Sequence, residues 1–281
     1  MPNSLSNIDK KLQSGQRRFG AYVCSSRSPY ATLPKSLEEQ VFLETFGNTK
    51  IDMERAYSPY EARSFFLFVF DHKEHTPAAV ARIVVPESIR NAGTKTTDDL
   101  EEIWQTPVSE VDCGGVALIQ QPYWDVATLA VHRLYRGIAR AGLVSLGIYN
   151  TVMTSAMYCG VDLIVAVLDE AAYRTGNWQY HSPFSPIDGL GPSPYMGSTS
   201  SIPVYCRFSA VKERLEQVDP SAAKVLFTED NIGELIEHVD LVEVERVHRE
   251  INKVQSHVID IKGIESYNTD TKSTFSEPKT N

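Results

Sequence analysis

Apolar positions along this chain fall into two rhythms, one helical and one of strands. Residues 36–47, SLEEQVFLETFG, place Leu37, Val41 and Phe42 at helical spacing. Ser36 stands at a capping position and Gly47 at the stop, which predicts a short helix. ERAYSPYEAR, 54–63, carries turn chemistry around Pro59. The stretch 64–86, SFFLFVFDHKEHTPAAVARIVVP, reads as two apolar strands joined by a polar turn. Pro86 closes the second strand because it cannot continue a ladder. A short helix is predicted at 97–104, and VALIQ (116–120) followed by YWDVATLAV (123–131) reads as the next strand region. Residues 139–159 keep apolar positions at helical spacing with small residues on one face, which permits close packing on a sheet. DLIVAVLD, 162–169, is a nearly continuous apolar strand, as expected of one covered on both faces.

EAAYRTGN then reads as a short helical turn, and 178–207 as a Pro/Gly/Tyr-rich loop leading into the strand SIPVYCRF. Two or three helices are predicted in the last third, with the strongest amphipathic pattern over 229–255. Residues from about 263 are polar and expected to be disordered. No internal repeat is evident. The order hairpin, strand, basic turn, long helix, buried strand, loop, strand indicates an α/β main domain at 1–207 with its core over about 64–207. A helical C-terminal appendage follows at 208–262, and a tail at 263–281.

At 281 residues and 42% hydrophobic content the chain is able to bury a full core. The net charge of −9 argues against general binding to nucleic acid or to anionic membranes. Cys24, Cys113, Cys159 and Cys206 are far apart and form no CxxC pair, so buried free thiols are expected rather than a zinc site or disulfides. The first residues lack the apolar segment of a signal peptide, and the apolar runs at 65–70 and 163–168 are far too short to span a bilayer. A cytoplasmic location is therefore expected. His238 and His248 show no metal-ligand spacing, His72 and His75 read as loop residues, and no metal is expected. No GxSxG elbow occurs, so a hydrolase reading is poor.

The basic turn is the feature that charge makes noticeable. In LAVHRLYRGIARAG, 129–142, Arg133, Arg136 and Arg140 crowd around Gly137 between a strand and a helix. A helix N-terminus after a strand, with a glycine allowing close backbone approach, forms an anion cradle. The plain alternative is a solvated helix start. The pattern is neither a Walker A loop nor GxGxxG.

In its order of elements the chain resembles the GCN5-related N-acetyltransferase (GNAT) superfamily, over roughly residues 64–207. That family's cradle, Q/R-x-x-G-x-G/A, corresponds to LYRGIA, 134–139: Gly137 and Ala139 match, and Leu134 departs from Gln or Arg. The resemblance implies a mixed, mostly antiparallel sheet with helices on both faces. It implies no permanently bound cofactor, and a co-substrate that is acyl-CoA or an acyl-carrier protein. Arg133, Arg136, Gly137, Ala139 and Arg140 would then hold phosphate, and the backbone of Leu129, Ala130 and Val131 would pair with pantetheine amides. A narrower resemblance is to the acyl-homoserine-lactone and N-acyl amino acid synthases. It rests on RRF at 17–19, ARIVVP at 81–86 and YWDVAT at 123–128, which place Arg82, Trp124 and Asp125 near family positions. Ala127-Thr128 stands where Ser-Arg is usual, and the missing arginine counts against lactone synthesis.

Acyl transfer to an amine needs a base, a polarised carbonyl and a proton for the leaving thiolate. Asp125 beside Trp124 is the first candidate for the base; a carboxylate that caps a strand end is the structural alternative. Tyr173 lies where the resemblance implies a thiolate-protonating tyrosine, and packing is its alternative. Glu170 is a weaker candidate base. Arg82 is either a substrate ligand or an internal partner of Asp71. The aromatic loop 177–198, with Tyr180, His181, Phe184 and Tyr195, either walls an acceptor pocket or covers the sheet edge. His132 abuts the basic turn as a cofactor neighbour or a surface histidine. The function expected is transfer of an acyl group to a small amine, possible acceptors including an amino acid. The rival is a catalytically silent fold of the same kind that binds an acyl thioester or a protein. It would use Ile232, Leu235, Val239 and Val242 as a docking stripe, which equally suits a homodimer.

Overall fold

The computed structural model describes residues 17–87, 93–136, 142–179, 183–228, 232 and 235–253. Strand β1 (Phe19–Ser25) leads to helix α1 (Thr32–Phe46) and helix α2 (Lys50–Tyr57), then to the hairpin β2 (Ser64–Asp71) and β3 (Thr76–Val84). Helix α3 (Lys95–Ile103) precedes β4 (Tyr123–Val131) and α4 (Leu143–Tyr158). After β5 (Leu163–Asp169) come α5 (Glu170–Gln179), the short β6 (Ser185–Pro186) and β7 (Ser193–Tyr195), and the long β8 (Ser198–Arg207). The described residues end with α6 (Phe208–Val218), α7 (Pro220–Phe227), β9 (Ile236–Glu237) and a helix, α8, at 241–253.

The described strands join one mixed sheet in the order β6-β8-β5-β4-β3-β2-β1-β9, with β7 paired to β8. The pairs β4–β5 and β1–β9 are parallel, and the others antiparallel. The run FFLFVF explains why the hairpin sits mid-sheet. Phe65, Leu67 and Val69 enter the main core, while Phe66, Phe68 and Phe70 enter a second core on the opposite face. Helix α1 covers that second face with Leu37 and Val41, and α3 covers its neighbouring patch beside Tyr123, Leu163 and Val165. On the main face α4 lays Val144, Ile148 and Val152 against the sheet. Gly147 packs against the Ile236 side chain, and a β-carbon there would stand 2.3 Å from Ile236 Cδ1, which would have to turn aside.

The GNAT-like arrangement of a mostly antiparallel sheet with helices on both faces is thus present, with several differences from the sequence reading. Strand β1 was not anticipated, because FGAYVCS follows a polar, basic start and shows no alternation. The turn chemistry read around Pro59 takes the form of a 3-10 turn, Ser58–Arg63, directly after the end of α2. Thr49 and Asp52 form a reciprocal cap that starts α2, and Pro59 sits at the start of the 3-10 turn, where its missing N–H costs nothing. VALIQ is not a strand; Leu118–Gln120 form a 3-10 turn.

The described C-terminal third, expected as a helical appendage, shares the main core with the rest of the fold. Phe208, Leu215, Leu226, Val244, Val247 and Ile251 all pack into it, and β9 extends the sheet beside β1. The expected amphipathic helix over 229–255 is interrupted by β9, and its stripe is divided between core and solvent. Ile232 and Val239 are buried in the core, whereas Leu235 and Val242 are exposed. No common docking face survives. Cys24, Cys113 and Cys206 are buried and Cys159 half-buried, all as free thiols. No described helix is long and apolar enough to cross a membrane.

Candidate active site

A fork in the sheet creates the site. β4 and β5 pair only from Tyr123 to Asp125, opposite Leu163 to Val165. Beyond that, β4 stays with β3 and β5 stays with β8. The register between β3 and β4 shifts between Arg82 and Ile83, which pair with Thr128 and Val126 and leave Ala127 as a bulge. The bulge reverses the facing of side chains: Trp124 and Val126 point to the main core, as do Leu129 and Val131 after it. Thr128 and Ala130 consequently turn toward α1.

A cavity of about 420 Å³ fills the fork. Residues 126–131 form one side, and Val167, Leu168 and Asp169 the other. Phe42 and Phe46 of α1, Tyr57 of α2 and Tyr149 of α4 supply much of the apolar wall, with α5 contributing Ala171, Ala172 and Gly176. The β7–β8 turn closes one flank through Tyr195 and Met196. That turn is pinned: Asn48 Nδ2 donates to the Met196 carbonyl at 2.7 Å. Gly197, at φ +80°, approaches the Phe46 carbonyl so closely that a β-carbon would stand 2.4 Å from it. At the mouth, Arg136 donates from Nε to the Val131 carbonyl at 2.6 Å, and the start of α4 presents backbone N–H groups with no side-chain cap at Gly142. Among the described lining residues, Arg136 and Asp169 are the charged ones.

At the base of the fork stands a polar cluster. Arg82, 4% exposed, donates from Nε to Glu38 Oε1 at 2.9 Å, from Nη2 to Glu38 Oε2, and from Nη1 to Glu61 at 3.2 Å. Its guanidinium lies 4.6 Å from the Tyr57 ring centre and 4.7 Å from that of Phe66. Burial works against this charge, but Glu38 more than offsets it and holds the pKa above its ordinary value. Thr128 donates to Glu38, and Tyr57 donates to the Ala127 carbonyl at 3.3 Å. Tyr195 donates to Asp99 Oδ2 at 2.6 Å, and Asp99 also holds Lys95. Burial raises the Asp99 carboxyl against the opposing pull of Lys95, and burial pushes both tyrosines far above the usual phenol range.

Leu129, Ala130, Val131, Arg136 and Tyr195 of the sequence-derived set line the cavity. Gly137, Ala139, Arg140, Tyr180 and His181 lie outside the described residues. Arg133 is exposed and does not line it. Asp125 does not reach it either. Fully buried, it accepts from Thr96 N and Thr96 Oγ1, both at 2.7 Å, and so closes the N-terminus of α3. Burial raises its carboxyl to about 6 even though those hydrogen bonds favour the charge. Trp124 is core, edge-on to Phe65 at 5.1 Å and to His248 at 5.6 Å. Tyr173 packs against the main core outside the cavity. Arg82 is paired internally, as its alternative reading had it, but with Glu38 and Glu61 rather than Asp71. Asp71 accepts instead from Arg18 Nη2 at 2.9 Å and from Tyr135 at 3.0 Å, which ties the basic turn to the hairpin. Phe184 is buried in the main core.

Sequence reasoning missed Asp169, Tyr57, Thr128 and Ser198 as cavity residues. Asp169 caps α5 by accepting from Ala171 N at 2.9 Å and accepts from Ser198 Oγ at 2.7 Å. The signal available was its place at the carboxyl end of an apolar strand, where open sheets bind ligands.

No family model matches the chain, and no curated protein matches its sequence. Among solved structures, FeeM, an N-acyl amino acid synthase from uncultured soil microbes, aligns with a TM-score of 0.50 and 13% identity, over 73% of this chain and 99% of that one. The acyl-homoserine-lactone synthase LasI aligns with a TM-score of 0.48 at 13% identity, over 68% of this chain and 91% of that one. The CoA-dependent acyl-homoserine-lactone synthase BjaI does so at 0.45 and 13%, over 80% and 98%. The likeness to FeeM establishes the fold, which is GNAT-like as expected.

Proposed function

We propose that this chain is an acyltransferase that takes an acyl group from a phosphopantetheine thioester and places it on a small amine. One observation carries the reading. Residues 126–131 of β4 hydrogen-bond to a strand on one side alone, and their other edge faces a largely apolar cavity ending at Arg136 and the start of α4. An extended amide-bearing arm pairs naturally with such an edge, as an added strand would. The helix start and Arg136 then receive its phosphate, whether from coenzyme A or from a carrier's arm. The apolar wall of Phe42, Phe46, Leu129 and Leu168 suits the acyl chain.

Asp169 takes over the role that the sequence suggested for Asp125, because it is the carboxylate on the cavity surface. It accepts a proton from the acceptor's ammonium, and the neutral amine attacks the thioester carbon. A backbone N–H of the β4 edge polarises the carbonyl. The C–N bond forms and the C–S bond breaks. The nitrogen's second proton goes to the departing sulfur, giving an amide and a free thiol. Tyr173 has no part in this scheme.

The test is thermal unfolding with coenzyme A, acetyl-CoA and a long-chain acyl-CoA. A ligand at one hundred times its Kd stabilises the fold by roughly 2.7 kcal/mol. Arg136→Ala should weaken donor binding about tenfold, as expected from one charge-assisted contact of about 1.4 kcal/mol. No shift from any of these donors, nor from an acyl-carrier protein, overturns the reading.

A further inference from the structure

The β7–β8 turn is built against its own sequence. Tyr195 pairs with Ser198, so Met196 and Gly197 alone make the turn, and both have positive φ, +47° and +80°. Two-residue hairpins of that kind favour Asn-Gly or Gly-Gly, because Gly, Asn and Asp are the residues that enter the left-handed region readily. A methionine at the first position is strained. The surroundings hold it there, for each of the four turn residues is tied to a different part of the fold. Tyr195 donates to Asp99 of α3 at 2.6 Å, and the Met196 carbonyl accepts from Asn48, just ahead of α2, at 2.7 Å. Gly197 lies against the Phe46 carbonyl at the end of α1, and Ser198 donates to Asp169 at the end of β5 at 2.7 Å.

None of these anchors uses the Met196 side chain, so the turn itself has no need of a methionine. Strain that the surrounding structure over-determines gathers at binding sites, and here the strained residue is half-buried and lines the cavity. Its unbranched thioether is apolar and adaptable. It borders the cavity on the flank where Phe46 meets the turn, and the Phe46 ring in turn packs 5.6 Å from that of Phe42. An ammonium group gains nothing from such a surface, whereas a hydrocarbon chain gains burial. We infer that Met196 is a specificity-determining residue that stops the acyl chain and so sets the longest chain the cavity accepts. The inference rests on the acyltransfer reading and names the donor range of the same cavity.

A donor series on the intact protein tests it. Straight-chain acyl-CoAs of about two to eighteen carbons are ranked by dissociation constant, with the shift in melting midpoint as a second readout. In the parent, affinity should rise by about fourfold for each methylene buried and then stop rising at a definite length. Met196→Gly suits the turn and opens the flank, and it should move that limit out by about two carbons or more. Met196→Asn also suits the turn but puts an amide where the chain ends. It should weaken the longest chain that the parent accepts by about tenfold and leave acetyl-CoA binding unchanged. A purely structural role for Met196 would move the ligand-free midpoint and not the length profile. The same profile in the parent and in both folded variants therefore overturns the inference, as does a parent that shows no limit across the series. Loss of the fold in both variants would make Met196 a stability residue and overturns it too. Absence of any donor-dependent shift in the parent overturns instead the acyltransfer reading beneath it.

Discussion

Asp125 and Asp169 are the same residue type at the two ends of one fork, and the structure gives them opposite circumstances. Asp125 lies where β4 and β5 still pair, fully buried, with both oxygens engaged by Thr96. Asp169 lies where the strands have parted, half-buried, with Ser198 and a helix start as partners and the cavity in front of it. The first carboxylate fixes α3 to the sheet, and the second is available to a ligand. Access, rather than residue type or a shifted pKa, separates them. Burial raises the Asp125 carboxyl, but that carboxyl does not line the cavity.

Exchanging each for its amide breaks or sharpens this contrast most strongly. Asp169→Asn keeps the helix cap, since Asn is as good an N-cap as Asp, and removes the base. Steady-state kinetics should show kcat/KM lower by about 100–10,000-fold, with donor binding intact by thermal shift. Asp125→Asn should leave kcat/KM within a fewfold of the parent. Comparable losses in both variants would erase the distinction.

The Arg82 cluster gives the next effect, in stability. Arg82→Ala leaves Glu38, 1% exposed, without its charge partner, and should cost about 3–5 kcal/mol in denaturant unfolding. A cost below about 1 kcal/mol would mean that Glu38 is not held as an ion there.

The smallest effect is in pH dependence. Burial raises the Asp125 carboxyl from 3.8 to about 6, so the folded protein binds this proton more tightly than the unfolded chain. Its contribution is full below the ordinary carboxylate range and declines as pH rises through about 6. The decline amounts to no more than about 3 kcal/mol for a shift of roughly two units. Subtracting the stability curve of Asp125→Asn from that of the parent between pH 4 and 7 should isolate this slope. A difference that stays flat would show that Asp125 ionises as freely folded as unfolded.

Much of the sheet was legible because its signals are local. The double-faced apolar run at 65–70 specifies a central strand whatever surrounds it, and LIVAVL specifies another. The basic turn was legible as chemistry, and Arg136 does reach the cavity mouth. The site's interior was not. Thr128 read as a departure from a family pattern, yet its hydroxyl faces the α1 side because the Ala127 bulge reverses the alternation, and a bulge leaves no mark in a single sequence. Trp124 and Asp125 looked like site residues from their neighbours alone, but they belong to the paired end of the fork.

The sequence by itself determined the hairpin β2–β3, the strands β4, β5 and β8, the long helix, the local positive charge after β4 and the free thiols, since each follows from side-chain type and short-range spacing. Only the tertiary structure decided where β4 and β5 part, which carboxylate faces the gap, and that Arg82 is consumed by Glu38 and Glu61. Those outcomes depend on contacts between residues tens of positions apart, such as Thr96 with Asp125 and Glu38 with Thr128. Burial and competition among charged partners settle them, and neither quantity exists until the chain has folded.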